Sequence, residues 1–221
     1  MIYILQNSFK FMICGIDEAG RGPVLGPLVV AGVCFKPREI QKLEKAGVKD
    51  SKLLSASKRK ELYELILKLC SSYKVVSLSA KQIDKREVLQ KNLNTLEAEA
   101  FSKILISLKP DEAYIDSVFR NPQKLRALLA KKSRARLIVE HKADTRYVVV
   151  GAASIIAKVL RDKAIKRLES RFKLKLGSGY PSDPATQEFL KKGQDYSFIR
   201  QSWAPVKKIK ADKEQSRLDS Y

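Results

Sequence analysis

Two neighbouring carboxylates, Asp17 and Glu18, close a short apolar run and are followed by Gly20, Arg21, Gly22 and Pro23. Along a strand, successive side chains point to opposite faces, so the pair converges only where the backbone turns. The glycines that follow permit such a turn. Asp116 ends a second apolar run, and Asp144 stands just ahead of a long helical stretch. Four acids on strand ends and a helix start can meet at one rim of a sheet. Carboxylate oxygens in such a group suit hard divalent ions such as Mg2+ or Mn2+. Two such ions about 4 Å apart favour phosphodiester cleavage, because they activate a water and steady the leaving oxygen. From the residues alone a plainer alternative stays open, in which each acid caps, pairs with a lysine or faces water. The single histidine, His141, narrows the field. It excludes a zinc helix with two histidine ligands and leaves one candidate for a serine triad. Its own first reading is local hydrogen bonding, with assistance to proton transfer second.

The elements that must position these acids follow from periodicity. Phe11 to Asp17 and Leu28 to Phe35 read as neighbouring antiparallel strands across a glycine-rich loop. Ser55 to Leu69 carries apolar residues at helical spacing, Tyr73 to Leu78 reads as a strand, and Leu93 to Leu108 as an amphipathic helix. Further strands are expected at Ala113–Asp116 and Leu137–Glu140, and further helices at Pro122–Lys132 and Val148–Phe172. The start of the last helix is apolar or small and should be buried, whereas its basic half from Lys158 onward should be solvated. Asp183 before Pro184 predicts another helix start. The polar tail from Trp203 to Tyr221 is expected to be mobile. Strands interleaved with helices make the chain α/β. The break at Gly177–Pro184 divides it into a catalytic domain, 1–176, and a C-terminal helical extension with tail, 177–221.

Composition bounds the partners. Of 221 residues, 44 are Lys or Arg and 24 are Asp or Glu, a formal net charge of +20. Between Arg120 and Lys175 there are 17 basic and 4 acidic residues, so most of the excess sits in one quarter of the chain. Such a balance argues for a polyanion, and solubility alone needs far less. No apolar run approaches the roughly 20 residues of a spanning helix. Met1 to Phe11 lacks the pattern of a secretion signal, and three cysteines without a CxxC pair suit a reducing cytosol. The expectation is a cytoplasmic monomer.

The run Gly15-Ile16-Asp17-Glu18-Ala19-Gly20-Arg21-Gly22-Pro23 resembles the opening signature of ribonuclease HII, the type 2 ribonucleases H. Three later blocks support the resemblance: Asp50-Ser51-Lys52, His141 to Asp144 running into Ala152 to Ile155, and Gly179-Tyr180-Pro181. The match spans roughly Met12 to Lys192 and is nearest to the archaeal members. Tyr147-Val148 departs from the expected tyrosine–proline pair. The resemblance implies a ribonuclease H-like mixed sheet flanked by helices, with a small helical C-terminal region. It implies metal-dependent endonucleolytic cleavage of RNA in RNA–DNA hybrids, and of DNA at an embedded ribonucleotide, leaving 3′-hydroxyl and 5′-phosphate ends. The family's metal-binding and catalytic acids fall on Asp17, Glu18, Asp116 and Asp144, with Mg2+ or Mn2+ as a pair. Its substrate contacts fall on Gly20, Arg21, Gly22, Ser51, Lys52 and Tyr180. Physically, glycines let main chain approach a sugar, and the 2′-hydroxyl separates RNA from DNA.

Gln215, Leu218 and Tyr221 follow at spacings of three and look like the box through which replication and repair proteins bind a sliding clamp. Two other classes remain from the residues: a metal nuclease of the same fold without a ribonucleotide requirement, and a non-catalytic basic RNA-binding protein.

Overall fold

The computed structural model describes residues 11–48 and 54–218, with backbone alone at 213 and 216–218. In chain order the elements begin β1 (Ile13–Ala19), β2 (Leu28–Phe35), α1 (Pro37–Lys45), α2 (Ala56–Leu69), β3 (Ser72–Leu78), α3 (Ala80–Val88) and α4 (Leu93–Leu108). They continue β4 (Glu112–Asp116), α5 (Pro122–Ala130), β5 (Arg136–Glu140), α6 (Ala143–Arg146), α7 (Val148–Phe172), α8 (Pro184–Lys191) and α9 (Ala204–Leu218).

β2 reads Leu-Val-Val-Ala-Gly-Val-Cys-Phe, without one charged residue, and all eight positions are buried. A strand of that kind needs cover on both faces. Val29, Ala31, Val33 and Phe35 meet α1, α2 and α7 on one side. Val30 and Cys34 join Cys14 and Ile16 under α4 and α5 on the other. The mixed sheet has the order β3-β2-β1-β4-β5. β1–β2 and β2–β3 pair antiparallel, whereas β1–β4 and β4–β5 pair parallel. Three parallel strands therefore end at one edge.

α7 reaches that edge because β1 leaves room for it. A Cβ on Gly15 would lie 1.9 Å from the Val149 carbonyl oxygen, so only glycine lets the first turn of α7 settle there. The apolar half of α7 is buried as expected. Its basic half is not wholly solvated: Arg161 is 2% and Ile165 4% exposed. Ile165 belongs to a C-terminal cluster with Leu176, Phe189, Phe198 and Val206, which also takes in Val24 and Leu25. The segment expected to be a mobile tail is instead the helix α9, anchored by Val206. β1 runs on to Ala19, two residues past the expected end, since Glu18 and Ala19 still pair with Val30 and Val29. Helices α1, α3 and α6 were not expected.

Gly15→Ala should cost about 3 kcal/mol through overpacking, which for a chain of this size lowers the thermal midpoint by about 6–12 °C. A melt followed by circular dichroism checks this, and an unchanged midpoint would mean that α7 can lift from β1.

Candidate active site

Parallel pairing places Ile16 beside Ile115. The next residue on each strand is an acid, so Asp17 and Asp116 stand side by side at the sheet edge. β5 sets Glu140 beside Asp116. The chain then passes Lys142, at φ 55°, into α6, which carries Asp144. The backbone N–H of Ala143 donates to Asp116 Oδ1 at 2.9 Å and ties the two elements together. The N–H of Glu18 donates to Asp17 Oδ1 at 2.7 Å, and Ser154 on α7 hydrogen-bonds the same carboxylate.

The turn anticipated between the two adjacent acids comes after them, at Gly20, where φ is +93°. Asp17, Glu18 and Asp116 nevertheless line one cleft of about 230 Å³, together with Arg21, Ser154 and Tyr180. Asp144 is not among the residues that line the cleft; it is buried, 4% exposed, and near enough to act on Asp17.

Like charges in a dry place resist ionisation. Burial, with Asp116 and then Asp144 adding to it, pushes Asp17 up to about 7 against the help of Ser154 and the Glu18 amide. Glu18 is raised well above its usual range by burial, Asp17, Glu97 and Asp116, with Arg21 opposing. Glu18 Oε2 is buried and has no hydrogen-bond partner. Among the described residues, no three such side chains already converge tightly enough to grip an ion as they stand. Their chemistry still fits one: mutually repelling carboxylates, one with an unpartnered oxygen, are an oxygen donor set for a hard cation.

The loop after Glu18 is held from behind. Arg200, fully buried, donates Nη2 to the Gly20 carbonyl at 2.6 Å, Nη1 to that of Arg21 at 3.1 Å and Nε to that of Gly26 at 3.1 Å. The Arg21 side chain turns to α4, pairing with Glu97 and donating to Asn94 Oδ1 at 2.6 Å. Burial raises Glu97 to about 7 despite that pair. Gly22 faces Tyr180, whose ring would lie 3.4 Å from a Cβ added there. Tyr180 is 41% exposed, with the Arg161 guanidinium 5.6 Å from its ring centre. Arg161 also donates to the Ser178 carbonyl at 2.6 Å.

Sequence reasoning missed Ser154, Glu97, Arg161 and Arg200. Ser154 and Arg161 are seven residues apart on one helix, hence on one face, which was a usable signal. His141 makes the local contact, its Nε2 lying 3.3 Å from the Arg120 carbonyl oxygen. Ser51 and Lys52 lie outside the described residues. Gln215 and Leu218 are on α9, while Tyr221 is outside.

The sequence model of the family described as Ribonuclease HII matches residues 14–206. The ribonuclease HII of Thermococcus sibiricus is 47% identical over 220 residues, 94% of this chain and 96% of that protein. The crystal structure of ribonuclease H2 from Pyrococcus horikoshii aligns with a TM-score of 0.85 at 39% identity, covering 91% of this chain and 98% of that one. The RNase HII of Archaeoglobus fulgidus, solved in complex with PCNA, aligns with a TM-score of 0.81 at 45% identity, covering 87% of this chain and 95% of that one.

Asp17 titrates near 7 in the folded, metal-free protein and near 3.9 when unfolded. Between those values the folded state holds a proton that the unfolded state has released, so stability falls as pH rises and the full penalty stands above 7. Asp17→Asn removes it. In the absence of divalent ions, the variant should be more stable than the parent at pH 8, by on the order of 2–4 kcal/mol. The gain should vanish by about pH 4. Denaturant melts across this range measure the difference, and equal stabilities at pH 8 would contradict the repulsion.

Proposed function

The chain belongs to the ribonuclease HII family, a nuclease that hydrolyses phosphodiester bonds in RNA–DNA substrates, and we propose that Asp17, Glu18, Asp116 and Asp144 carry its reaction. The observation that supports this most directly is that burial, reinforced by Asp116 and Asp144, pushes Asp17 up to about 7. The four acids would hold a pair of Mg2+ or Mn2+ ions, Glu18 Oε2 supplying its unpartnered oxygen. When bound, such ions neutralise the cluster, make a water nucleophilic and steady the leaving oxygen. Ser154 and the Ala143 amide keep Asp17 and Asp116 aimed at the cleft.

The substrate side of the cleft is main chain and one aromatic ring. Arg200 occupies the carbonyls of Gly20 and Arg21, which frees the loop's other polar groups to meet the sugar and its 2′-hydroxyl. Tyr180 packs on the neighbouring sugar, and Ser51 and Lys52 contact a phosphate. The cut falls in the RNA strand of a hybrid or at a ribonucleotide embedded in DNA, leaving 3′-hydroxyl and 5′-phosphate ends. The division into 1–176 and 177–221 has a functional sense here, because the C-terminal part brings Tyr180 and Arg200 to the cleft. The basic quarter grips phosphates without reading sequence. A cytoplasmic location goes with this activity; among the described residues no helix is long and apolar enough to cross a membrane. The PCNA complex of the Archaeoglobus relative supports a clamp contact, for which Gln215, Leu218 and Tyr221 are the residues we assign.

Asp17→Asn should lower cleavage of a single ribonucleotide in duplex DNA by about 10³-fold or more in Mg2+, with duplex affinity retained. Gel-based cleavage and anisotropy measure the two quantities. A variant that still cuts would remove Asp17 from the reaction. Tyr221→Ala should weaken binding to an immobilised sliding clamp at least about tenfold and leave cleavage without the clamp unchanged; undiminished binding would dismiss the box.

A further inference from the structure

The acid cleft is not the largest hollow on the molecule. A groove of about 1110 Å³ opens between α4 and α5. It begins at Asn94 and Asn121 and extends to Ile106, Leu128 and Lys132, about 18 Å along α4 at 1.5 Å per residue. Its floor is apolar: Ile106 is 51% and Leu128 45% exposed, with Phe119 beside them. Its rim carries Lys103, Arg120, Lys124 and Lys132. None of these four has a carboxylate partner among the described residues. Glu99, the acid on the wall, is held by Lys91 at 2.6 Å.

The groove lies beside the cleft and is linked to it at two points. Asn94 on its wall accepts from Arg21, which lines the cleft. The β4–α5 loop leaves Asp116 in the cleft and places Phe119 to Pro122 in the groove. At this shared end α4 and α5 both begin, capped by Asn92 and Asn121, and neither has an acid in its first turn. Two helix N-termini and Arg120 make that end electropositive. The far end adds the apolar Ile106 and Leu128 beside Lys132.

From this juxtaposition we propose that the α4–α5 groove binds a single-stranded stretch of nucleic acid continuing out of the catalytic cleft. The inference rests on the nuclease reading of that cleft. A duplex shows phosphates outward and keeps its base faces stacked, so an apolar floor offers it nothing. A single strand has both a charged backbone for the rim and bare base faces for Phe119, Leu128 and Ile106. An acidic amphipathic helix also matches an apolar floor with a basic rim, but it gives no reason for the groove to begin beside the cleft.

The test uses the full chain with Mg2+ and a duplex carrying one ribonucleotide, either blunt or extended by a single-stranded tail on the 3′ or the 5′ side. One tail polarity should lower KM about fivefold or more, with kcat unchanged. Ile106→Glu with Leu128→Glu, exposed on α4 and α5, should erase that advantage while kcat/KM on the blunt duplex stays within about twofold. Lys132→Ala alone should reduce the salt slope of tailed-duplex binding by about 0.7. No tail advantage for either polarity, or an advantage the double variant keeps, would overturn the proposal. So would an acidic amphipathic peptide that competes with blunt and tailed duplex equally. Failure of the parent chain to cut the blunt duplex would instead defeat the nuclease reading, so the two failures are distinguishable.

Discussion

Everything at the active edge depends on forcing carboxylates together where water is scarce. Asp17, Asp116 and Asp144 arrive from three different stretches of chain, and the backbone register leaves them no choice of neighbour. The energy that holds them there comes from elsewhere, from the strand β2 buried on both faces and the helices packed against it. A core of that kind makes local repulsion tolerable, because the sheet cannot relax one strand end without disturbing its neighbours. In the proposed reading, that repulsion is what a bound hard cation would relieve.

A second constraint works on the opposite wall. Arg200 and Arg161 are both buried cations; burial lowers the pKa of each, and the charge of Arg161 lowers that of Arg200 further. Their compensation is backbone carbonyl oxygen: Arg200 meets those of Gly20, Arg21 and Gly26, and Arg161 that of Ser178. Two loops far apart in sequence are thereby fixed against each other. The cleft thus has an acidic wall that wants cations and a main-chain wall already saturated by them.

Much of this was legible from residue order. β2, α4 and α7 lie at their expected bounds because long apolar or periodic runs carry a strong signal. The helices that escaped notice are short. α1 has only Pro37 at its start, and α3 only the Ser79–Gln82 capping box. Four-residue α6 has no periodicity to read. At the site, the acids stood out because a charged residue ending an apolar run is conspicuous. Arg161 did not, being one cation among many on a helix that looked solvated, and its burial is decided by the C-terminal cluster folding over it. Glu97 was hidden in the same way, since a buried acid inside an amphipathic helix has no local mark. The tail was misjudged because Val206 and Ile209 are sparse anchors in a polar run.

α7 touches every part of this arrangement. Ser154 steadies an acid, Arg161 holds the loop before Tyr180, and Ile165 enters the C-terminal cluster. One rigid rod thereby sets the span between the acid cluster and the loop that carries Tyr180. Losing a single residue between Ser154 and Ile165 would shorten the rod by about 1.5 Å and swing everything beyond it through about 100°. Changes in the surrounding loops leave this ruler's graduation untouched, whereas an added residue within it would lengthen the span and turn its far end by the same amounts.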